Sequence, residues 1–167
     1  DIGGLSHGAR FSNAQNEALP GTAYSVWSLI EAGYFNEAGT QRGLTYLRAH
    51  ATETDDAYVL ALVANALVSA DRAATPEGAL KLDAATLSVI NQLAEQAMRD
   101  RNTAMWSSAM TYTGAKGRTG DIETTALAAL ALLRAGEQPQ IANAALTALV
   151  QQKDNFGTWY STQATIL

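Results

Sequence analysis

The chain has 167 residues, of which 47% are apolar and 16% charged, and its formal net charge at pH 7 is -5. This length fits one domain, and the eleven Lys and Arg residues are scattered instead of forming a basic stripe, so no nucleic-acid partner is expected. The absence of cysteine excludes disulfides, a thiolate nucleophile and cysteine-ligated metal sites within this sequence. No apolar run of roughly eighteen to twenty residues stands out, so no direct membrane span is expected.

Helical periodicity runs through almost the whole chain, and two kinds of predicted helix alternate. The first pair is a helix apolar on nearly every side (22–32) and a helix with one apolar stripe (37–48). The second pair covers residues 55–70 and 82–98 in the same order. The third pair, which follows a loop, covers residues 124–135 and 140–151. Apolar residues all round are typical of a helix with no solvated face. No alternating β-strand pattern competes, and the loop, residues 102–120, is rich in Ser, Thr, Gly and Tyr. The sequence therefore predicts an all-α fold in a single domain over residues 1–167.

The apolar helices also begin alike, with small polar residues followed by alanine, at residues 21–24, 55–58, 124–127 and 162–165. Alternating inner and outer helices at this period predict antiparallel helical hairpins around an axis, which is a partial α/α toroid. All inner helices would then begin at the same end, where their positive dipole ends converge. We expect any functional site to lie at that end.

The last stretch, residues 157–167, contains a glycine turn, a Ser/Thr helix cap and about one turn of a new helix. This pattern favours a fragment of a longer chain, in which the toroid is present only in part. An open half-toroid would expose an apolar patch larger than a soluble monomer tolerates. We therefore expect association with the missing half of the toroid or with a second copy.

Two late motifs resemble the thioester-containing domain of the α2-macroglobulin and complement family. The first is Asp121-Ile-Glu123-Thr-Thr-Ala126 with the apolar helix after it, and the second is the turn Gly157-Thr-Trp159-Tyr-Ser161-Thr-Gln163. Residues 22–62 fit the preceding hairpins of the family in order, so the resemblance spans nearly the whole chain. Trp106, in the long loop, is similar to a tryptophan of bacterial members. The family's toroid has six hairpins, of which this chain would supply about the second half.

The resemblance implies a bacterial protease inhibitor that traps endopeptidases, with this chain as a non-enzymatic scaffold without a cofactor. In thioester-type members, a Cys-x-Glu-Gln segment forms an internal thioester that captures the attacking protease. This chain has no cysteine, so either that segment lies upstream or the parent traps by conformational change alone. The implied partners are the rest of the parent chain, including its β-rich domains, and target proteases. The implied location is periplasmic, in the cell envelope or extracellular.

Five residues are candidates for a pocket or a structural motif. Glu123 would neutralise the dipoles of the converging helix starts, would change its own proton affinity in a closed pocket, or would simply hold backbone amides in a first helical turn. Trp106 would line the end of the toroid or pin the long loop. Trp159, Ser161 and Gln163 lie in the glycine turn that ties an outer helix to the next inner one, where a structural role is expected.

Three alternatives stay open: two enzyme classes built on α/α toroids, and a plain structural or binding module, which needs only the repeat. The segment Glu53-Thr-Asp55-Asp56 is similar to the acid motif of class II terpene cyclases, in which Asp55 would be a buried proton donor. Capping of the following helix explains the same residues. A carbohydrate-active enzyme would need paired carboxylates and aromatic platforms, for which Glu123, Asp55 and Trp106 are the few candidates.

The two histidines of the sequence do not indicate a metal site. His7 lies in a Gly/Ser/Asn-rich lead-in and is interpreted as a loop residue. His50 ends an outer helix, where interaction with the negative end of the helix dipole explains it.

Overall fold

The computed structural model describes residues 14–75, 78–153 and 157–159, with side chains from Ala18 onward. The described part contains six α-helices and one small hairpin. In chain order they are α1 (Ala14–Glu31), α2 (Ala38–His50), α3 (Ala57–Ala74), α4 (Ala84–Glu95), β1 (Met98–Asp100), β2 (Thr103–Met105), α5 (Gly117–Ala135) and α6 (Pro139–Gln151). The predicted all-α class is confirmed.

Helices α1, α3 and α5 form an inner row in which α3 packs against both of its neighbours. Every residue of α3 from Ala57 to Asp71 is buried, which matches its lack of a polar face. Asn65 lies in the middle of this helix, and its Nδ2 atom donates to the carbonyl oxygens of Ala61 at 2.8 Å and of Leu127 in α5 at 2.9 Å. This amide joins two inner helices inside an otherwise apolar contact.

Helices α2, α4 and α6 form a second row, and each packs against the inner helix that precedes it. Each of them buries one stripe, as the sequence predicts: α2, for example, buries Thr40, Leu44 and Leu47 and exposes most of the residues between them. The described helices thus occur as successive hairpins with alternating burial. Closure of these hairpins into a ring stays a prediction.

Two inner helices begin about two turns before the predicted positions. Helix α1 begins at Ala14 and runs through Pro20, and α5 begins at Gly117. Among these three inner helices, only α3 begins where predicted, at Ala57. The repeated alanines Ala23 and Ala126 are buried. The repeated alanine thus opens α3 but lies inside α1 and α5.

The hairpin β1–β2 is a second difference from the sequence prediction, which had a helix to residue 98 and then a loop. Helix α4 ends at Glu95, and the two strands pair antiparallel with Met98 opposite Met105. Ala104 on β2 is fully buried, and β2 packs against α5 and α6. Strands of three residues are too short to show an alternating pattern, so the sequence could not reveal them.

Among the described residues, one helix is long and apolar enough to cross a membrane by length and composition. It is α3, whose residues 57–74 have a mean hydropathy of 1.3. The sequence pattern alone did not predict such a run. Inside the fold 83% of this window is buried. The central helix of a packed core satisfies the same criterion, so α3 is weak evidence for a membrane span.

Candidate functional site

The loop between β2 and α5 lies over the beginning of α3 and starts at Trp106. This side chain is fully buried, and its indole Nε1 donates to the carbonyl oxygen of Leu93 in α4 at 2.7 Å. The backbone N–H of Trp106 donates to Oγ1 of Thr125 in α5 at 3.1 Å. These contacts attach the start of the loop to α4 and α5, and the pinning role of Trp106 stays a prediction.

Asp56 caps α3 and also contacts this loop. Its Oδ1 atom accepts the backbone N–H groups of Tyr58 at 2.9 Å and Val59 at 3.1 Å, which satisfies two of the free donors of the first turn. Ser108 Oγ lies within 3.2 Å of the same carboxylate. The neighbouring Asp55 is exposed, so it is not the buried proton donor that the terpene-cyclase alternative needs. The capping interpretation of this acidic segment is confirmed for Asp56.

Glu123 is almost fully buried, with 2% of its surface exposed, and lies in the second turn of α5. Its Oε2 atom accepts the hydroxyl of Thr113 at 2.8 Å, and Thr113 in turn contacts Thr111 Oγ1 at 2.8 Å. The predicted first-turn position of Glu123 is wrong because α5 begins at Gly117. The carboxylate therefore holds the loop through side chains, instead of holding the amides of a helix start.

An open pocket lies between the inner helices and this loop, with a volume of about 150 Å³. Its lining consists of four aromatic residues, two leucines and one threonine: Tyr24, Trp27, Tyr58, Tyr112, Leu62, Leu127 and Thr113. The rings of Tyr24 and Tyr112 stack with centroids 6.1 Å apart and an interplanar angle of 14°. None of the lining residues is basic. Of the predicted site residues that the structure describes, none lines the pocket, although Glu123 is bonded to its Thr113.

The pocket floor carries a phenol in a buried, negatively charged setting. Burial is the main cause that raises the pKa of Tyr58 to about 12, and the charges of Glu123 and Asp56 raise it as well. A hydrogen bond with the backbone of Tyr112 acts in the opposite direction. Tyr58 is therefore a neutral phenol at ordinary pH.

A carboxylate that the sequence analysis missed joins the three inner helices at the other side of the pocket. Glu31 Oε1 accepts the indole N–H of Trp27 at 3.1 Å and the hydroxyl of Ser69 at 2.7 Å, and Arg134 Nη2 lies 2.7 Å from the same oxygen. Burial raises the pKa of Glu31, but these three partners together lower it below the ordinary value of 4.5. Trp27 and Glu31 are four residues apart on α1, a spacing that a helical period pairs, but no signal in the sequence joins them to Ser69 on α3 or Arg134 on α5.

The predicted turn after α6 is described only in part. Trp159 Nε1 donates to the carbonyl oxygen of Leu149 at 2.6 Å, and Lys153 Nζ lies 4.6 Å from its ring centroid. This indole contacts the C-terminal turn of α6, as its structural interpretation requires. Ser161 and Gln163 lie outside the described residues.

The structure describes one of the two histidines. His7 lies outside the described residues, while His50 Nδ1 lies 2.8 Å from Glu53 Oε2 and its ring packs against Tyr46. Within the described ranges, no three His, Asp or Glu side chains come close enough together to hold a metal ion.

Comparison with known families gives one clear match. The family model of the A-macroglobulin TED domain, where TED stands for thioester-containing domain, matches residues 10–167. No individual curated protein matches the chain significantly.

Proposed function

Since the chain belongs to the A-macroglobulin TED domain family, we propose that it is the helical scaffold of a protease-trapping protein. A domain of this family is part of a larger multidomain chain, so the proposed partners are the rest of the parent, including its β-rich domains, and the proteases it traps. The parent is proposed to act in the periplasm, the cell envelope or the extracellular space, which cell fractionation tests. A parent found only in the cytosolic fraction would contradict this location.

The observation that supports a scaffold role most strongly is the family match over residues 10–167. The structural contacts of the polar residues also support a scaffold role. Asp56 caps a helix, Glu123 holds a loop threonine, and Trp106 bonds a helix carbonyl. The chain also has no cysteine, so it cannot itself supply the sulfur of a thioester. We therefore propose that it is not an enzyme in its own right.

The trapping role is tested on the full-length protein mixed with an endopeptidase. The remaining protease activity is measured on a large protein substrate and on a small chromogenic peptide. A trapped protease is enclosed but not chemically blocked, so we expect loss of cleavage of the protein substrate and retention of cleavage of the peptide. Unchanged cleavage of both substrates, over a panel of proteases of different specificity, would refute the proposal.

The same assay after methylamine treatment distinguishes the two forms of trapping. A small amine consumes a thioester, so a thioester-type parent should lose covalent capture of the protease. A parent that traps by conformational change alone should be unaffected. A thioester in the parent would have to use a cysteine outside this sequence.

We also propose that the inner row is completed by the missing half of the toroid or by a second copy. Exposed large apolar side chains support this, among them Leu29 on α1 and Leu133 on α5. Light scattering of the 167-residue chain should show self-association at high concentration. A stable monomer that binds no apolar dye would contradict the proposal.

The alternative of an enzyme on the same scaffold is tested directly. Incubation with squalene or geranylgeranyl diphosphate should give no cyclised product, because Asp55 is exposed and Asp56 is engaged as a cap. Product formation that disappears in a Glu53/Asp55/Asp56 triple alanine variant would establish the cyclase instead. A carbohydrate-active enzyme finds little support, since no carboxylate is among the residues that line the aromatic pocket.

A further inference from the structure

The pocket between the inner helices and the loop before α5 presents aromatic rings to a compact space. Its volume of about 150 Å³ is the size of cavity that accommodates a benzene ring. Tyr24 and Tyr112 are about half exposed, so this wall of the pocket is accessible from solvent. Leu62 and Leu127 complete the lining with apolar surface. The pocket can therefore take one small group with an apolar surface.

The charges around the pocket favour a positively charged group. No Lys, Arg or His lines it, and carboxylates stand behind two of its lining residues. Glu123 accepts the hydroxyl of Thr113, and within the described part of the chain no Lys or Arg forms an ion pair with Glu123. Glu31 accepts the indole N–H of Trp27, although it shares its charge with Arg134. An anion would be repelled here, whereas a cation would be attracted.

Aromatic faces attract cations through the negative charge of the ring face. The hydrogen bond from the Trp27 indole to a carboxylate strengthens this attraction for a cation, because the carboxylate pushes electron density into the ring. Three phenols and one indole around a space of this size resemble the aromatic cages that hold quaternary ammonium groups. The two leucines give the methyl groups of such a ligand an apolar contact.

We propose that this pocket binds a small organic cation of the quaternary ammonium class, with a trimethylammonium group in contact with Tyr24, Trp27, Tyr58 and Tyr112. The test of this site needs no protease. Failure of the trapping assay and failure of this inference are therefore independent results.

The test uses the full-length protein and two probes of the same shape, choline and its neutral carbon isostere 3,3-dimethyl-1-butanol. Saturation-transfer NMR on the methyl protons gives a dissociation constant for each probe. We expect choline to bind about tenfold more tightly than the neutral isostere. Equal affinities would mean a plain apolar pocket, and no binding of choline would mean that the pocket is covered or is not a cage. Either result overturns the proposal.

Variants of one tyrosine identify the site. Tyr112→Leu removes one aromatic face and should weaken choline binding about threefold, while Tyr112→Phe keeps the face and should bind as the unchanged protein does. The double variant Tyr24→Leu/Tyr112→Leu should lose about tenfold. Tyr34→Leu is the matched control, since Tyr34 and Tyr112 are both 54% exposed and Tyr34 lies outside the pocket. An equal loss in Tyr34→Leu, or an unchanged affinity in the double variant, would contradict the cage.

Discussion

Replacement of Trp106 is the most informative perturbation of the loop over α3. The indole is fully buried and makes its one polar bond to Leu93, whose carbonyl lies in the last turn of α4. Carbonyls in a last helical turn lack an intrahelical donor, so the indole satisfies a group that would otherwise stay unpaired. Trp106→Ala removes the packing and this bond together, whereas Trp106→Phe removes the bond and keeps most of the packing.

The size of each effect can be worked out from these contacts. A buried Trp covers roughly 200 Å² of surface, which at about 25 cal/mol per Å² corresponds to about 5 kcal/mol, and measured Trp→Ala changes in cores cost about 3–5 kcal/mol. We expect about 4 kcal/mol for Trp106→Ala. Loss of the hydrogen bond in Trp106→Phe should cost about 1.5 kcal/mol, because the Leu93 carbonyl is left buried without a donor. For a domain of this length, about 4 kcal/mol lowers the Tm by roughly 10 °C.

Urea unfolding followed by far-UV circular dichroism measures both variants against the unchanged chain. Met98→Ala is the control, since Met98 is a large apolar residue of the neighbouring hairpin that is 53% exposed, and its replacement should change the free energy of unfolding by less than about 0.5 kcal/mol. If Trp106→Ala costs less than about 1 kcal/mol, the indole does not pin the loop to the core. If Trp106→Phe lowers the free energy of unfolding as much as Trp106→Ala does, the hydrogen bond contributes more to stability than the packing of the indole.

Three further predictions concern single polar groups. Asp56→Ala should lower the free energy of unfolding by about 1 kcal/mol through loss of the α3 cap, and the exposed neighbour variant Asp55→Ala should leave it unchanged; equal effects would contradict the cap. Because the folded-state pKa of Glu31 lies below 4.5, its carboxylate stabilises the fold above that pH and this stability is lost as the pH falls through the folded-state pKa. Thermal melts should therefore show Glu31→Gln less stable than the unchanged chain at about pH 7 and equal to it at about pH 2, whereas a difference that persists in acid would refute the linkage. Asn65→Ala should cost about 2 kcal/mol in urea unfolding, since it removes the buried amide between α3 and α5, and a change within about 0.5 kcal/mol would show that this link is unimportant.

The sequence predicted burial more reliably than it predicted helix ends. Side-chain hydrophobicity reports directly on the environment of a residue, so the two kinds of helix and the buried alanines Ala23 and Ala126 could be read from the pattern. Helix ends depend on competition among weak local preferences. Helix α1 runs through Pro20, and α5 begins at Gly117, although both residue types are unfavourable in helices. Tertiary packing of the long inner helices outweighs the local cost of these residues.

The same distinction explains which parts of the site could be foreseen. A cap is a local interaction, so Asp56 could be predicted from its position just before an apolar run. The Glu31 cluster and the aromatic pocket join residues far apart in the chain, such as Tyr24 and Tyr112, whose partners are set only by how the hairpins pack. Glu123 lies between these cases: its type and burial suggested a special role, but its partner Thr113 comes from a loop whose path no periodic pattern defines. A pocket built from such long-range contacts becomes visible only when the inner helices and the loop are assembled. The choline experiment therefore tests the packing of this fold as well as the chemistry of the pocket.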